Sequence, residues 1–249
     1  MLEAASLAGF GSLEAEIDML GPYFDRPLEL ASLLEKYHME LAALVLHQDW
    51  EGPSQTDDER ALSCRAVSFL KHFPFAKLMM SHHAGSKPRG EGAVLEERRK
   101  NLIACMQEAA VLAAEEGIVS CFHPNSARNS LFVSAEDYEI LFGLLGNTAI
   151  GWAPDVGHIV NGGIDALSLM KDHRRLIRHV HFKDRASDGS WTVMGEGAID
   201  YPAIIRFLAE TGYRGWIMVE DESPAAALDP DSVVRLDGAY MNDIMRRES

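Results

Sequence analysis

Gly151-Trp-Ala-Pro-Asp155-Val-Gly-His158 and, one helix length later, Arg178-His179-Val-His181-Phe-Lys183-Asp184 decide how this chain folds. Each segment is a short apolar run that breaks off into residues able to hold a metal or move a proton. A parallel strand looks like this where its C-terminal end opens into a site. Two such runs with a helix between them make one β–α repeat.

The rhythm extends in both directions. Upstream, residues 11–18 alternate apolar and acidic, and residues 39–47 and 75–80 are apolar runs ending in His47 and in Ser81-His82-His83. Residues 118–122 lead into His123-Pro-Asn-Ser126. Helical spacing fills residues 27–38, 57–73 and 91–117, and Ser134 with Asp137 forms a capping box for a helix reaching Leu145. Downstream, helix 164–174, strand 177–182, helix 201–211 stopped by Gly212, strand 215–219 ending in Glu220-Asp221-Glu222, and helix 232–245 follow in turn. Strict alternation calls for a parallel sheet with helical crossovers. The expectation is a single α/β domain over residues 1–249, a (β/α)8 barrel. Seven strands are counted, so the barrel is expected to lack its first β-strand, which would precede residue 1.

Composition narrows the function. The 249 residues carry 23 Lys and Arg against 38 Asp and Glu, a net charge of −15 with no basic block. Nucleic acid is therefore not the expected partner, because binding it requires cations that displace counterions. Three separated cysteines, Cys64, Cys105 and Cys121, without a Cys-x-x-Cys suit a reduced compartment. No apolar stretch approaches the roughly 20 residues that span a bilayer. The start, Met-Leu-Glu-Ala-Ala-Ser, lacks the basic and apolar regions of a signal peptide. A cytoplasmic protein without a membrane partner is expected.

Six of the ten histidines, His47, His82, His83, His123, His158 and His181, fall at or just after a strand end. A lone histidine there is more often structural. Six in one topological position point instead to a site, because the strand ends of a barrel converge on one face. Asp155 is the sharpest carboxylate; its bland reading is a turn or N-cap. Alternation puts His179 and His181 on one face, with His181 nearer the site. Glu220 directly ends a buried run, whereas Asp221 and Glu222 read as solvated acids. Lys183 and Asp184 either pair with each other or orient a substrate oxygen. Gly195-x-Gly197 is a weak phosphate signal, and Arg128 and Arg185 are candidates for an anionic substrate group.

Asp155-x-Gly157-His158, His179-x-His181-x-Lys183-Asp184, Gly195-Glu-Gly197-x-Ile199-Asp200 and Gly212-Tyr-x-Gly215-Trp-Ile-x-Val-Glu220 together resemble the xylose isomerase-like TIM-barrel superfamily, in its sugar isomerase/epimerase and inosose-dehydratase-like branch. The resemblance implies one divalent ion (Mn, Zn, Co or Mg) held by Glu, Asp, His and Glu at four strand ends. By position the last three are Asp155, His181 and Glu220. The first is His123, where the family usually has Glu followed two residues later by His. His123 either ligates the ion itself, or three ligands and water complete the site.

In the family's epimerases two carboxylates face each other across the sugar and exchange its proton. With one of them absent, Glu220 is the single base, His123 or His158 the acid, and Lys183 a further catalytic group. The resemblance thus implies a metal-dependent sugar isomerase or epimerase acting on a small polyhydroxy carbonyl compound. The alternative is a dehydratase (a lyase) of a keto-cyclitol or keto-sugar, and a lesser alternative is a non-catalytic barrel subunit. The family's abasic-site endonucleases are disfavoured by the acidic charge. A homodimer or homotetramer is implied by the resemblance alone.

Overall fold

The computed structural model describes residues 1–82 and 87–248. Five parallel strands, β1 (Ser12–Glu16), β2 (Glu40–Gln48), β3 (Lys77–His82), β4 (Ser120–His123) and β5 (Ile150–Trp152), pair in sequence order. Single parallel bridges, Trp152 to Ile177 and Asp155 to His181, join β5 to β6 (Val180–Phe182). A short antiparallel hairpin, β7 (Asp184–Arg185) and β8 (Trp191–Thr192), follows, and β6 pairs in parallel with β9 (Ile217–Val219). The seven long-range strands therefore run in the expected order, and no ladder joins β9 to β1 among the described residues.

Helices pack outside. They are α1 (Leu2–Leu7), α2 (Ile17–Leu20), α3 (Pro27–Lys36), α4 (Asp57–Leu70), α5 (Gly92–Glu115), α6 (Ala135–Leu145), α7 (Val156–Asn161), α8 (Ala166–Asp172), α9 (Tyr201–Glu210), α10 (Pro224–Leu228) and α11 (Pro230–Glu248). The anticipated capping box at Ser134 and Asp137 forms, and Thr56 with Glu59 makes a second one at the start of α4. Several short elements, α2, α7, α10 and the β7–β8 hairpin, do not show in the sequence periodicity, because each is too brief to show a period.

The strands read as continuous apolar runs because both of their faces are covered. Leu44, Leu46, Leu78, Met80, Phe122, Trp152, Val180 and Phe182 belong to the large core beneath the helices. Ala43, Val45, Met79, Cys121 and Ala153 form a separate, smaller cluster. Side chains alternate along a strand, so this second set is the barrel interior, and it is small because seven strands converge there. Two residues further along the same faces stand His47, Ser81, His123 and Asp155. Register makes neighbours of His47 and Ser81, and of Ser81 and His123. The interior parity of each strand thus runs from small apolar residues straight into polar ones.

Candidate metal and acid–base site

His123, Asp155, His181 and Glu220 each offer a ligand atom within 4.8 Å of the others. They come from the ends of β4, β5, β6 and β9. His123 Nε2 lies 3.5 Å from Asp155 Oδ2, and His181 Nδ1 lies 3.5 Å from Glu220 Oε2. Ligands about 2.1 Å from a tetrahedral zinc stand about 3.4 Å apart, so both separations match edges of such a polyhedron. His123 Nε2 and Asp155 Oδ2 are buried without a hydrogen-bond partner. Two imidazoles and two carboxylates, with two orphaned atoms facing each other, fit a divalent cation.

Asp155 serves two purposes. Its Oδ1 accepts the His158 N–H at 2.8 Å and so caps α7, while Oδ2 is turned towards His123. The N-cap reading and the ligand reading, set against each other on sequence grounds, are both satisfied by one carboxylate, and Asp155 does enter a helix. Burial opposes its ionisation, yet His158, His123 and Lys183 together hold it well below the usual carboxylate range.

His181 is fixed from both sides. Its Nδ1 faces Glu220, and its Nε2 lies 3.2 Å from Glu14 of β1. The same Glu14 oxygen is 2.8 Å from His179 Nε2, so both histidines share one face as expected, with His179 the deeper. Burial pulls the His181 imidazole down, but the Glu14 carboxylate outweighs it and raises the group to about 10. Glu14 was not singled out from the sequence. An acid within the strand-like alternation of residues 11–18 looks solvated until the barrel closes over it.

Lys183 is wholly buried. Its Nζ donates to Glu220 Oε1 at 2.9 Å and Glu222 Oε1 at 2.7 Å, and lies 3.1 Å from His158 Nε2 and 5.4 Å from the Trp191 ring centroid. Burial disfavours the ammonium, but Asp155 and Glu220 more than restore it. Glu220, which burial alone would raise, is brought down to about 2 by His181 and Lys183. Burial pushes His158 down to about 4.

Several expectations are corrected here. Asp184 is not the partner of Lys183; it accepts the backbone N–H groups of Arg185, Gly195 and Gly197. Gly195-x-Gly197 is therefore the collar of that carboxylate, and a Cβ on Gly197 would collide with Asp184 Oδ1. Glu222 is bonded to Lys183 and is not a free solvated acid. His82 follows Ser81 on the alternate face of β3 and is outside the ligand cluster, although it lines the same cavity, and His83 lies outside the described residues. His47 and Arg128 line the wall of the same cavity, whose volume is about 1330 Å³. Ser126, not singled out by any sequence pattern, also lines it.

A profile describing the xylose isomerase-like TIM barrel matches residues 2–242. The chain belongs to that family. An inosose dehydratase of Clostridium perfringens is 25% identical over 258 residues, covering 90% of this chain and 82% of the relative. The IolI protein, solved with a bound zinc atom, superposes with a TM-score of 0.79 at 17% identity, over 100% of this chain and 92% of IolI. D-psicose 3-epimerase of Clostridium cellulolyticum H10 gives 0.74 at 17% identity, over 99% and 92%. The two structural likenesses establish the fold alone, and the curated relatives include inosose dehydratases.

Proposed function

We propose that this chain is a divalent-metal-dependent dehydratase that removes water from a keto-cyclitol or keto-sugar, with Glu220 as its base. One observation carries the choice of elimination over epimerisation. Of the two carboxylates in the cluster, Asp155 has a fully buried side chain spent on capping α7, whereas the Glu220 side chain is 42% exposed. A two-base epimerase needs a second accessible carboxylate, and His123 stands where it would be. One base with an imidazole and ammonium beside it is the equipment of a β-elimination.

In this reading His123, Asp155, His181 and Glu220 hold the cation. When bound, it acts as a Lewis acid that polarises the substrate carbonyl and acidifies the adjacent C–H; zinc and manganese suit the ligand set. Lys183 and His181 keep Glu220 ionised, ready to take the proton. The Lys183 ammonium, 2.9 Å from Glu220 Oε1 and 3.1 Å from His158 Nε2, can take that proton only as it passes one of its own hydrogens to His158. Trp191, with its ring 5.5 Å from His158, walls the acid groups from solvent.

The relative named inosose dehydratase supports the lyase reading, and the likeness to D-psicose 3-epimerase keeps isomerase or epimerase as the second reading. The test is incubation of the zinc- or manganese-loaded protein with a keto-inositol and with simple ketoses in D2O. Water loss with a new enone absorbance is expected. Solvent deuterium appearing beside the carbonyl with an inverted centre and no water loss would establish the epimerase. No turnover and no retained metal would leave a non-catalytic barrel.

A further inference from the structure

The hydrogen bonds around Lys183 can be satisfied in one way only. Its ammonium has three hydrogens and meets three acceptors within hydrogen-bond range, Glu222 Oε1 at 2.7 Å, Glu220 Oε1 at 2.9 Å and His158 Nε2 at 3.1 Å. Asp155 Oδ2, at 3.9 Å, is too far to compete. His158 Nε2 must then present its lone pair, and a neutral imidazole carries its one hydrogen on the other nitrogen. That nitrogen, Nδ1, lies 2.8 Å from Ser126 Oγ and donates to it. Asn161 Nδ2 donates to the same oxygen at 2.7 Å. Both lone pairs of the Ser126 hydroxyl are thereby taken, and its own hydrogen has no acceptor among the described residues. Ser126 lines the same cavity as His123 and Glu220.

We propose that Ser126 delivers the proton to the oxygen that leaves as water, as the last member of the chain Glu220, Lys183, His158, Ser126. This rests on the dehydratase reading given above. The step balances within the protein. Glu220 takes the carbon-bound proton, the C–H electron pair becomes the new C=C bond, and the C–O bond breaks. The departing oxygen takes the Ser126 hydrogen and leaves as water. Ser126 is refilled from His158 Nδ1, His158 Nε2 from Lys183, and Lys183 from Glu220. Glu220, Lys183 and Ser126 end as they began, and His158 ends with its hydrogen on Nε2 instead of Nδ1; exchange with solvent, one proton taken at Nδ1 and one released from Nε2, resets it before the next turnover with no net proton consumed.

Two measurements test the assignment. Long-range 15N–1H spectra of the wild-type protein are expected to show His158 protonated on Nδ1 and bare on Nε2; the Nε2–H form overturns the role given to Ser126. With a keto-inositol, Ser126→Ala is expected to slow water release by about 100-fold or more, the range of a lost general acid, while the α-proton still exchanges with D2O. Ser126→Thr, which keeps the hydroxyl, is expected to recover most of the rate. Ser126→Ala releasing water within about threefold of wild type overturns the proposal. A wild-type enzyme that exchanges the α-proton but never releases water overturns the dehydratase reading instead, and the imidazole spectrum still decides the direction of the chain, so the two failures are told apart.

Discussion

Replacing Gly157 with alanine probes the packing on which the site depends. Gly157 lies in the first turn of α7, between the ligand Asp155 and His158. A Cβ there would stand 2.3 Å from the Lys183 carbonyl oxygen and 2.9 Å from Lys183 Cβ. The closest tolerable approach is 3.0 Å, so α7 and the end of β6 must separate by about 0.7 Å, the difference of 3.0 and 2.3. The carbonyl cannot swing aside cheaply, because it accepts the Tyr201 hydroxyl at 2.7 Å, and Val156 and Ile159 hold α7 down. Overpacking of this kind costs about 1–3 kcal/mol, which for a chain of this size lowers Tm by roughly 3–10 °C. The shift also moves Asp155 and His158 relative to His181 and Lys183, and a displacement approaching 1 Å at a reacting centre costs about 100-fold in rate. Gly143→Ala is the control: Gly143 sits within α6 with open space where its Cβ would go, so that change should be neutral or stabilising. Thermal denaturation and zinc titration of the two variants supply the assay. A Gly157→Ala protein that melts and binds zinc like wild type would refute the reasoning.

Other outcomes follow from single contacts. Glu14→Gln keeps the shape but removes the charge that orients the His181 ring, and zinc affinity measured by calorimetry should fall by about 10- to 100-fold, as for a lost outer carboxylate. Asp155→Ala removes both a ligand and the α7 cap; metal analysis should find less than one bound ion, and Tm should drop by the several degrees that about 1 kcal/mol of capping represents. Asp237, buried on α11 and accepting the Met194 N–H, is raised by burial and neighbouring acids from 3.8 to about 7. The folded state therefore holds a proton that the unfolded state has lost between those values, so this group removes stability as pH rises from about 4 to about 7. Asp237→Asn, which keeps the acceptor, should raise Tm at pH 8 and leave it unchanged near pH 4.

Much of the fold was legible because it is written in local periods. The apolar runs leading to His123, Asp155, His181 and Glu220 became β4, β5, β6 and β9 within two or three residues at each end. Alternation placed His179 and His181 on one face, and position along the strand set His181 nearer its C-terminal end, where it meets Glu220. Residues whose role depends on partners far along the chain were not legible. Glu14 reads as one acid in an amphipathic stretch, and its meeting with His179, 165 positions away, exists only because the curled sheet brings the inner faces of β1 and the β6 segment together. Ser126 reads as a loop serine until α7 brings His158 and Asn161 to it.

Sequence alone settled the order of strands and helices and the convergence of histidines and carboxylates on one rim, because side-chain alternation and strand ends are properties of a few consecutive residues. Tertiary structure alone decided which nitrogen of each imidazole is engaged, which acid neutralises Lys183, and that Asp155 caps a helix while facing His123. Those choices are made by hydrogen bonds between strands that meet only when the sheet curls into a barrel, and no run of neighbouring residues encodes them.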